Sequence, residues 1–450
     1  MISTAEAAKI LGVSPRRVTA LIESGDLAAQ RIGRSWAVDE QSVAERAAAP
    51  KWRGRPPAGA SDPRSVETCT LMSANREVAR FAYDRSSKQV VSIRELDDAR
   101  YAPPAACSTR GKVDRFNLNN WLLHRLVPRT RSGIADMLRE AGCSDPHDLM
   151  FGSLGLNLSD QYWFKPEGLQ LDWHHINYFE NPYIDRGKNV RRSGGGTLTL
   201  FGPGTSTDGQ LPKHWELRAD GTSYLVKGSS WRNYEPYAEA LSTMLYGRLL
   251  DRGDYVPYTL EGDGESAVSV CPCFVSRSTE LVTLSAVETR YGTGYPKSRY
   301  ENYASILERL GIRGVRTKLS KMLVCDFLTA NTDRHENNLG ALRDVETLEW
   351  VDVAPIFDNG RGFFFAAAHR EELTEELYYY QSNPFEERPI RQLALAEDLG
   401  WFDAGALEGF GGDIAELLSR NKDLPDWFPE AAAAQFERRI RRVRDIQREM

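Results

Sequence analysis

The chain has 450 residues, more than one hydrophobic core usually holds, so two or three domains are expected. A hydrophobic content of 41% and a charged content of 27% are ordinary for a globular protein, and the net charge of −6 gives no reason to expect nucleic-acid binding along the whole chain. Residues 1–60 nevertheless carry nine Lys and Arg against six Asp and Glu, about +3, so DNA contacts are expected at this end.

Cysteine usage and hydropathy indicate the compartment. The six cysteines are scattered and form no CxxC pair, which predicts reduced thiols rather than a zinc site. No apolar stretch approaches the roughly 18 residues that span a bilayer, and the N-terminus lacks a signal pattern. The sequence therefore predicts a cytoplasmic protein with no membrane partner.

The N-terminal residues predict two short helices followed by a small β-hairpin. The first helix lies within Ser3 to Gly12, and the residues placed for burial are Ala7, Ala8, Ile10 and Leu11. The second runs from Pro15 to about Glu23, with Pro at its permissive first position. Gln30 to Val38 has the alternation and central Gly of a hairpin.

Two short helices before a basic hairpin resemble the winged helix-turn-helix of excisionase and MerR-type proteins. The resemblance implies that the second helix enters the major groove and that the hairpin touches the DNA backbone or minor groove. It assigns DNA contacts to Arg16, Arg17 and Thr19 on the helix and to Arg31 and Arg34 on the wing. Two-fold operators favour dimers, so a homodimer is the prior expectation. A helical domain that mediates only protein contacts is the alternative.

A basic linker at residues 50–66 follows the predicted DNA-binding domain of residues 1–49. It contains Arg-Gly-Arg-Pro, the core of an AT-hook, in which Arg53 and Arg55 can enter a narrow A·T minor groove. A solvated linker without DNA contacts is the alternative.

Residues 67–275 are predicted to hold an accessory segment and a nucleotide-binding lobe. Strands are expected at Val66 to Met72 and Val90 to Leu96, and helices near Trp121 to Leu126 and from Ile134 to Glu140. Aromatic residues are dense between positions 160 and 181, a composition that suits packing better than chemistry.

A Gly-rich segment that begins at Ser193 contains the candidate phosphate loop. Glycines let the backbone approach phosphate oxygens, and small hydroxyl residues add hydrogen-bond donors. The residues assigned to nucleotide contacts are Gly204, Thr205, Ser206, Thr207, Gly209 and Lys213. The segment matches neither GxGxxG nor the Walker A pattern, so the assignment depends on its position.

A hairpin and a helix come next. His214 to Leu217 and Thr222 to Lys227 predict the hairpin, and Lys227 stands at its outgoing end. Kinases keep the ammonium that contacts the α and β phosphates at such a position, and a carboxylate from the next helix orients it. The predicted helix from Tyr234 to Leu250 offers Glu235 and Glu239 for this role.

Residues 276–450 are predicted to form a mostly helical lobe. Just before this lobe, a strand is expected from Val268 to Phe274. It should lead to the hinge between the two lobes and place Cys273, Phe274 and Val275 near the adenine of a bound nucleotide. Arg316 to Leu328 is expected as a buried helix, and Pro429 to Met450 as a closing amphipathic helix with a solvated Arg face.

Two polar loops in this lobe carry the strongest chemical signal. Leu328 to Gly340 holds Asp333 and Asn338, and Ile356 to Gly360 holds Asp358, with a short apolar strand expected between them. One carboxylate can orient an accepting hydroxyl, while the Asn oxygen and the other carboxylate hold Mg²⁺ against nucleotide phosphates. Ordinary turns rich in Asn, Asp and Gly are the alternative.

The order Asn-Thr-Asp-Arg-His, with Asn338 behind it and Phe-Asp-Asn-Gly at 357–360, resembles the HipA family of serine/threonine kinases. The resemblance implies ATP and Mg²⁺ as cofactors, Asp333 as the catalytic carboxylate, and Asn338 and Asp358 as metal ligands. It selects Glu239, with Glu235 in reserve, as the partner of Lys227. His335 is expected to hydrogen-bond within the loop beside the nucleotide.

The predicted fold is multidomain α+β: a small winged helix-turn-helix domain, then a two-lobed, protein-kinase-like (HipA-like) fold with a mostly helical C-lobe. The predicted function is phosphorylation of a protein substrate on Ser or Thr by a toxin-type or self-regulating kinase, in growth control or phage defence. HipA-like kinases are commonly toxins, so a separate antitoxin is a candidate partner.

Two alternatives stay open. The first is a DNA-binding transcriptional regulator whose kinase-like domain is an inactive nucleotide sensor or scaffold. The second is a small-molecule or lipid kinase on the same scaffold, which would differ only in its acceptor pocket.

Overall fold

The computed structural model describes residues 2–11, 13–23, 27–32, 35–40, 42–44, 65–181, 188–191, 197–200, 202–203, 211–292 and 298–450. The chain divides into two compact units, Met1–Ser65 and Val66–Met450.

The first unit contains the two predicted helices and the predicted hairpin. Its elements are β1 (Ile2–Ser3), α1 (Thr4–Leu11), α2 (Pro15–Glu23), β2 (Ala29–Ile32) and β3 (Ser35–Val38). The strands form an antiparallel sheet in the order β1-β3-β2. A capping box starts α1, because Glu6 N–H donates to Ser3 Oγ at 3.2 Å and Ser3 N–H donates to Glu6 Oε2 at 2.8 Å.

The core of this unit corrects one prediction. Ala7, Ala8 and Leu11 are buried as expected, but Ile10 is 48% exposed. Successive helical residues turn by about 100°, so Ile10 falls at the margin of the face that the other three share. The apolar pattern therefore predicted helix α1 correctly, but it predicted a buried face wider than the one observed.

The accessory segment at the start of the second unit is a four-stranded antiparallel sheet with helices packed on it. Its elements are β4 (Val66–Ser73), β5 (Arg76–Asp84), β6 (Gln89–Glu95), α3 (Arg115–Leu123), α4 (Ile134–Glu140), α5 (Pro146–Gly152) and β7 (Tyr162–Pro166). The strand order is β6-β5-β4-β7. The predicted strands β4 and β6 and helix α4 are confirmed, whereas β5 and β7 were not predicted, and α3 begins and ends earlier than expected.

A second four-stranded sheet carries the predicted hairpin. Its strands are β10 (Lys213–Leu217), β11 (Ser223–Lys227), β12 (Thr259–Glu261) and β13 (Val268–Pro272). Strands β8 (Lys188–Arg191) and β9 (Thr197–Leu200), which precede them in the chain, form a separate antiparallel pair. The order is β10-β11-β13-β12, and helix α6 (Glu235–Leu249) packs against β12 and β13. The hairpin closes through Gly221, whose φ of 78° is a left-handed conformation that glycine adopts without steric cost.

The rest of the unit is mostly helical. Its elements are β14 (Thr279–Thr283), α7 (Leu284–Tyr291), α8 (Arg299–Arg309), α9 (Val315–Thr329), β15 (Gly340–Asp344), β16 (Trp350–Val353), α10 (Arg370–Thr374), α11 (Pro389–Leu393), α12 (Phe410–Ser419) and α13 (Phe428–Glu449). Short 3-10 turns occur at Ala99–Tyr101, Pro104–Ala106, Trp173–His175, Gly264–Ser266 and Ala404–Leu407. The buried helix predicted from Arg316 to Leu328 is confirmed as α9. Two strands, β15 and β16, stand where one apolar strand was predicted.

The closing amphipathic helix is confirmed as α13, and Arg441, Arg444 and Arg448 are exposed on it as expected. Arg439 is the exception, because it lies on the buried side of the helix with no exposed surface. The guanidinium donates to Phe327 O at 2.8 Å and to Tyr378 O, and it stacks 4.7 Å from the Phe327 ring centroid. Carbonyl oxygens and aromatic faces replace water around this cation.

The multidomain α+β prediction is confirmed, with a small helical and sheet unit followed by a larger mixed unit that becomes mostly helical toward its C-terminus. Within the described ranges, no helix combines the length and apolar character needed to cross a membrane.

Candidate active site

A cleft of about 670 Å³ lies between the sheet of strands β10 to β13 and the loops that follow α9 and β16. Sequence-predicted residues that line it are Lys213, Lys227, Glu235, Cys273, Phe274, Val275, Asp333, His335, Asn338 and Asp358. Chain segments more than a hundred residues apart therefore contribute polar groups to one cavity.

Lys227 is the centre of a charged cluster at the back of this cleft. Its Nζ lies 2.6 Å from Glu239 Oε1 and 2.6 Å from Asp358 Oδ1. Glu239 is fully buried, and its second oxygen accepts from Asn359 N–H at 2.9 Å. The cluster thus joins β11, α6 and the loop after β16.

The cluster fixes the charges of its members. Burial lowers the pKa of Lys227, but Asp358 and Glu239 outweigh it, so the pKa is raised and the ammonium stays charged. Burial likewise raises the pKa of Asp358, but Lys227 and Lys213 hold that pKa below its usual range. Asp358 is therefore an anion that a metal ion can share.

Helix α6 offers two carboxylates near its start, and only one contacts Lys227. Glu235 accepts hydrogen bonds from Ser230 N–H at 3.1 Å and from the hydroxyls of Ser229 and Ser230. Glu235 therefore fixes the chain that enters α6, while Glu239, one turn further on, faces the ammonium.

The loop after α9 presents Asp333 through a set of short local bonds. Ala330, with φ 52°, ends the helix in the left-handed region. Asp333 N–H then donates to Asn331 Oδ1 at 3.0 Å, and the Asn338 side-chain amide donates to Asp333 O at 3.0 Å. The Asp333 side chain remains 38% exposed in the cleft. Burial of the carboxyl raises its pKa, against the opposing charge of Arg361.

His335 makes a hydrogen bond within the same loop. Its ring Nδ1 accepts from Asn337 N–H at 3.2 Å, and the backbone N–H of His335 donates to Asp333 O at 2.8 Å. The ring lines the cleft, and its bonded nitrogen serves to shape the loop.

Arg334 connects the two polar loops, a role that the sequence did not predict. Its fully buried guanidinium lies 3.0 Å from Asp326 Oδ2 in α9 and donates to Asn338 O at 2.9 Å. It also donates to Asn359 Oδ1 at 2.5 Å and to Phe357 O. The available signal was Asp326, a carboxylate inside an apolar helix that needs a buried cation.

The loop after β16 holds Asp358 in an unusual conformation. Its φ is 57°, and its N–H donates to the Tyr258 hydroxyl at 3.2 Å. A Cβ added at Gly360 would lie 3.1 Å from Glu235 Cβ, so glycine lets this loop approach α6. Tyr258 is a second site residue that the sequence did not predict.

The donor set of the cleft fits Mg²⁺. Asp358 supplies a carboxylate that is 36% exposed. The side-chain N–H of Asn338 donates to Asp333 O, so the side-chain oxygen of Asn338 can bind a metal ion. Within the described residues no group of three His, Cys, Asp or Glu could hold a metal. Mg²⁺ does not need one, because it commonly takes one or two protein oxygens together with phosphates and water.

Several predicted residues lie outside the described part of the chain. These are Gly204, Thr205, Ser206, Thr207 and Gly209 of the phosphate loop, and Arg34, Arg53 and Arg55 of the DNA-binding prediction. Arg16, Arg17 and Arg31 belong to α2 and β2, but their side chains are not described. Thr19 is partly exposed on α2, and its hydroxyl donates to Pro15 O at 3.2 Å.

Comparison with known proteins assigns a class to the first unit. Residues 1–49 match a family model described as a helix-turn-helix domain, which confirms the helix-turn-helix prediction. No curated protein matches the chain. Among solved structures, the chain is similar to the crystal structure of a Helicobacter pylori proinflammatory kinase, CtkA. The two share 16% identity and a TM-score of 0.39, over 54% of this chain and 97% of that one. Because this similarity is low, it assigns no class to the second unit, whose function has to be inferred from the geometry of its cleft.

Proposed function

We propose that the second unit is an ATP- and Mg²⁺-dependent, HipA-like serine/threonine protein kinase and that the first unit is a winged, MerR-like DNA-binding domain. The observation that carries the kinase proposal is the buried Lys227–Glu239 pair, bonded to Asp358 in the cleft that Asp333 and Asn338 also line. Kinases need an oriented ammonium, two metal ligands and an acceptor-orienting carboxylate in one site.

In the proposed mechanism each residue has a separate task. Asp333 orients the Ser or Thr hydroxyl and takes its proton, while Lys227, held by Glu239, binds ATP phosphates together with Lys213 and the loop at 204–209. Asn338 and Asp358 would hold Mg²⁺, which neutralises phosphate charge when bound. Positioning and charge neutralisation supply most of the rate in this chemistry.

The direct test is a transfer assay with the full chain, γ-labelled ATP, Mg²⁺ and a Ser/Thr peptide library. We expect label on Ser or Thr and none when EDTA removes the metal. ATP binding without any transfer to peptide or to the chain itself would favour an inactive nucleotide sensor. Phosphopeptides from residues 204–213 would reveal autophosphorylation of Ser206 or its neighbours.

The biological role follows from the joining of two activities in one chain. A DNA-binding unit fused to a kinase supports self-regulation at its own promoter, in growth control or phage defence, with a separate antitoxin as a candidate partner. The alternative is a transcriptional regulator in which the second unit serves as a scaffold.

Arg17→Ala is expected to weaken DNA binding about tenfold or more, because a base-reading Arg contributes about 1–3 kcal/mol of discrimination. The measurement is fluorescence anisotropy with a duplex from upstream of the protein's own gene and a random duplex, at matched salt. Lys9→Ala on α1 is the control, and we expect it to bind like wild type. Equal affinity of Arg17→Ala and wild type for the upstream duplex would contradict the assignment of α2.

Tyr258→Phe is expected to raise the Mg²⁺ concentration needed for half-maximal activity about tenfold, the size typical of residues that position a metal ligand. The substitution removes only the hydroxyl that accepts from Asp358 N–H. Tyr237→Phe is a matched control, since the Tyr237 hydroxyl also accepts from a backbone N–H, that of Gly264 at 3.1 Å, away from the cleft. An identical Mg²⁺ dependence of both variants would show that Tyr258 does not position Asp358.

A further inference from the structure

Arg361 stands beside the proposed catalytic carboxylate, although no role has been assigned to it so far. It follows the Asp358 loop by three residues, and its Nε lies 3.8 Å from Asp333 Oδ2. Both side chains line the cleft, with Asp333 38% and Arg361 39% exposed. The guanidinium is therefore near the atom that would take a proton from an acceptor hydroxyl.

The backbone and packing around Arg361 fix the position of its side chain. Its carbonyl accepts from Thr332 N–H and from the Thr332 hydroxyl, both at 3.3 Å, which ties it to the loop that presents Asp333. The guanidinium lies 5.5 Å from the Phe365 ring centroid, and Phe365 packs against Trp231 and Tyr234. Such stacking holds a cation while leaving its N–H groups on the edge for anions.

Two other cations of the centre are already engaged. Lys227 is shared by two carboxylates, and Arg334 is buried with four bonded partners. The guanidinium of Arg361 donates no hydrogen bond to the residues that the structure describes. Its distance of 3.8 Å from Asp333 makes the two an ion pair but is too long for a hydrogen bond. Arg361 is thus a positioned charge whose donors remain available at the acceptor end of the cleft.

We propose that Arg361 is a catalytic residue that binds the phosphoryl group in transit between ATP and the acceptor. The acceptor oxygen bonds to phosphorus as the bond from phosphorus to the bridging oxygen of ADP breaks, and ADP keeps that electron pair. The acceptor proton passes to Asp333. Arg361 donates to the equatorial oxygens of the transferred group, where charge is spread in a loose transition state.

This inference rests on the proposed kinase activity and makes a separable prediction. Arg361→Ala is expected to lower kcat about 100-fold, with the Kd for Mg-ATP changed less than about threefold, because the interaction forms mainly in the transition state. Added guanidinium ion is expected to restore part of the lost rate. Arg361→Lys is expected to recover little, since an ammonium lacks the planar fork that fits two phosphoryl oxygens.

The experiment compares peptide phosphorylation and Mg-ATP binding for the full-length wild type and variants. Arg232→Ala is the matched control, because Arg232 is exposed and stacks 4.7 Å from Trp231 in the same aromatic group but does not line the cleft. We expect its kcat to equal that of wild type. Arg361→Gln gives the same comparison if the alanine variant does not fold.

Three results would overturn the inference. A kcat within about threefold of wild type would remove Arg361 from the reaction. A loss confined to Mg-ATP affinity would make it a ground-state binding residue. Wild-type protein without transferase activity would overturn the inference and the proposed kinase function together, whereas an active wild type with an Arg361→Ala variant of similar kcat would overturn the inference alone.

Discussion

Asp333→Ala and Asp358→Ala are each expected to lower the rate of phosphoryl transfer about 1,000-fold or more. The first removes the group that orients and deprotonates the acceptor, and such groups contribute about 10²–10⁴ in rate. The second removes a metal ligand and also the carboxylate that meets Lys227 Nζ at 2.6 Å. Transfer of label from γ-labelled ATP to peptide measures both effects.

The two variants are expected to differ in nucleotide binding. Asp333→Ala should keep the Mg-ATP affinity of wild type, whereas Asp358→Ala should lose the part of that affinity that depends on Mg²⁺. Asp251→Ala is the control, since this carboxylate is 92% exposed and lies outside the cleft lining. Transfer rates equal to wild type in both cleft variants would discard the assignment of these residues.

Lys227→Met is expected to abolish transfer and to lower the free energy of unfolding by about 3–5 kcal/mol, the usual cost of breaking a buried ion pair. It leaves Glu239, which has no exposed surface, without its cation. Burial already raises the pKa of Glu239, so the variant should regain stability as the pH falls and this carboxyl takes up a proton. Urea unfolding followed by circular dichroism at several pH values measures the loss.

The double variant Lys227→Met/Glu239→Gln separates stability from activity. Removing the uncompensated carboxylate should restore much of the lost stability, while transfer stays absent because the ammonium is gone. A double variant less stable than Lys227→Met would show that Glu239 does not depend on Lys227 for its charge balance.

The sequence predicted the polar residues of the two loops because their chemistry is local. Asp333, Asn338 and Asp358 stand at fixed spacings in short segments, and all three line one cleft. It could not predict Tyr258, because the bond from Asp358 N–H to this hydroxyl joins positions 100 residues apart. The partners of Arg334 and Arg361 are closer in sequence, but they were not predicted because they are set by how the two loops meet in space.

Strands were missed where burial removed the alternating pattern. Strand β7 (Tyr162–Pro166) is buried on both faces, apart from Lys165, so its aromatic run shows no period of two.

Strand β15 contains Arg343, which is 4% exposed and donates to Glu280 at 2.6 Å and to the Tyr162 hydroxyl at 3.0 Å. A charged residue inside a strand looks like a loop residue in sequence, because its partners are distant.

The most direct test of the kinase proposal is a crystal structure of the full chain with a nonhydrolysable ATP analogue and Mn²⁺, located by anomalous scattering. We expect Mn²⁺ bound by the Asp358 carboxylate and the Asn338 side-chain oxygen, the α and β phosphates facing Lys227, and Asp333 directed at the terminal phosphoryl group. A nucleotide bound outside this cleft, or Mn²⁺ held without Asp358 and Asn338, would contradict the kinase proposal.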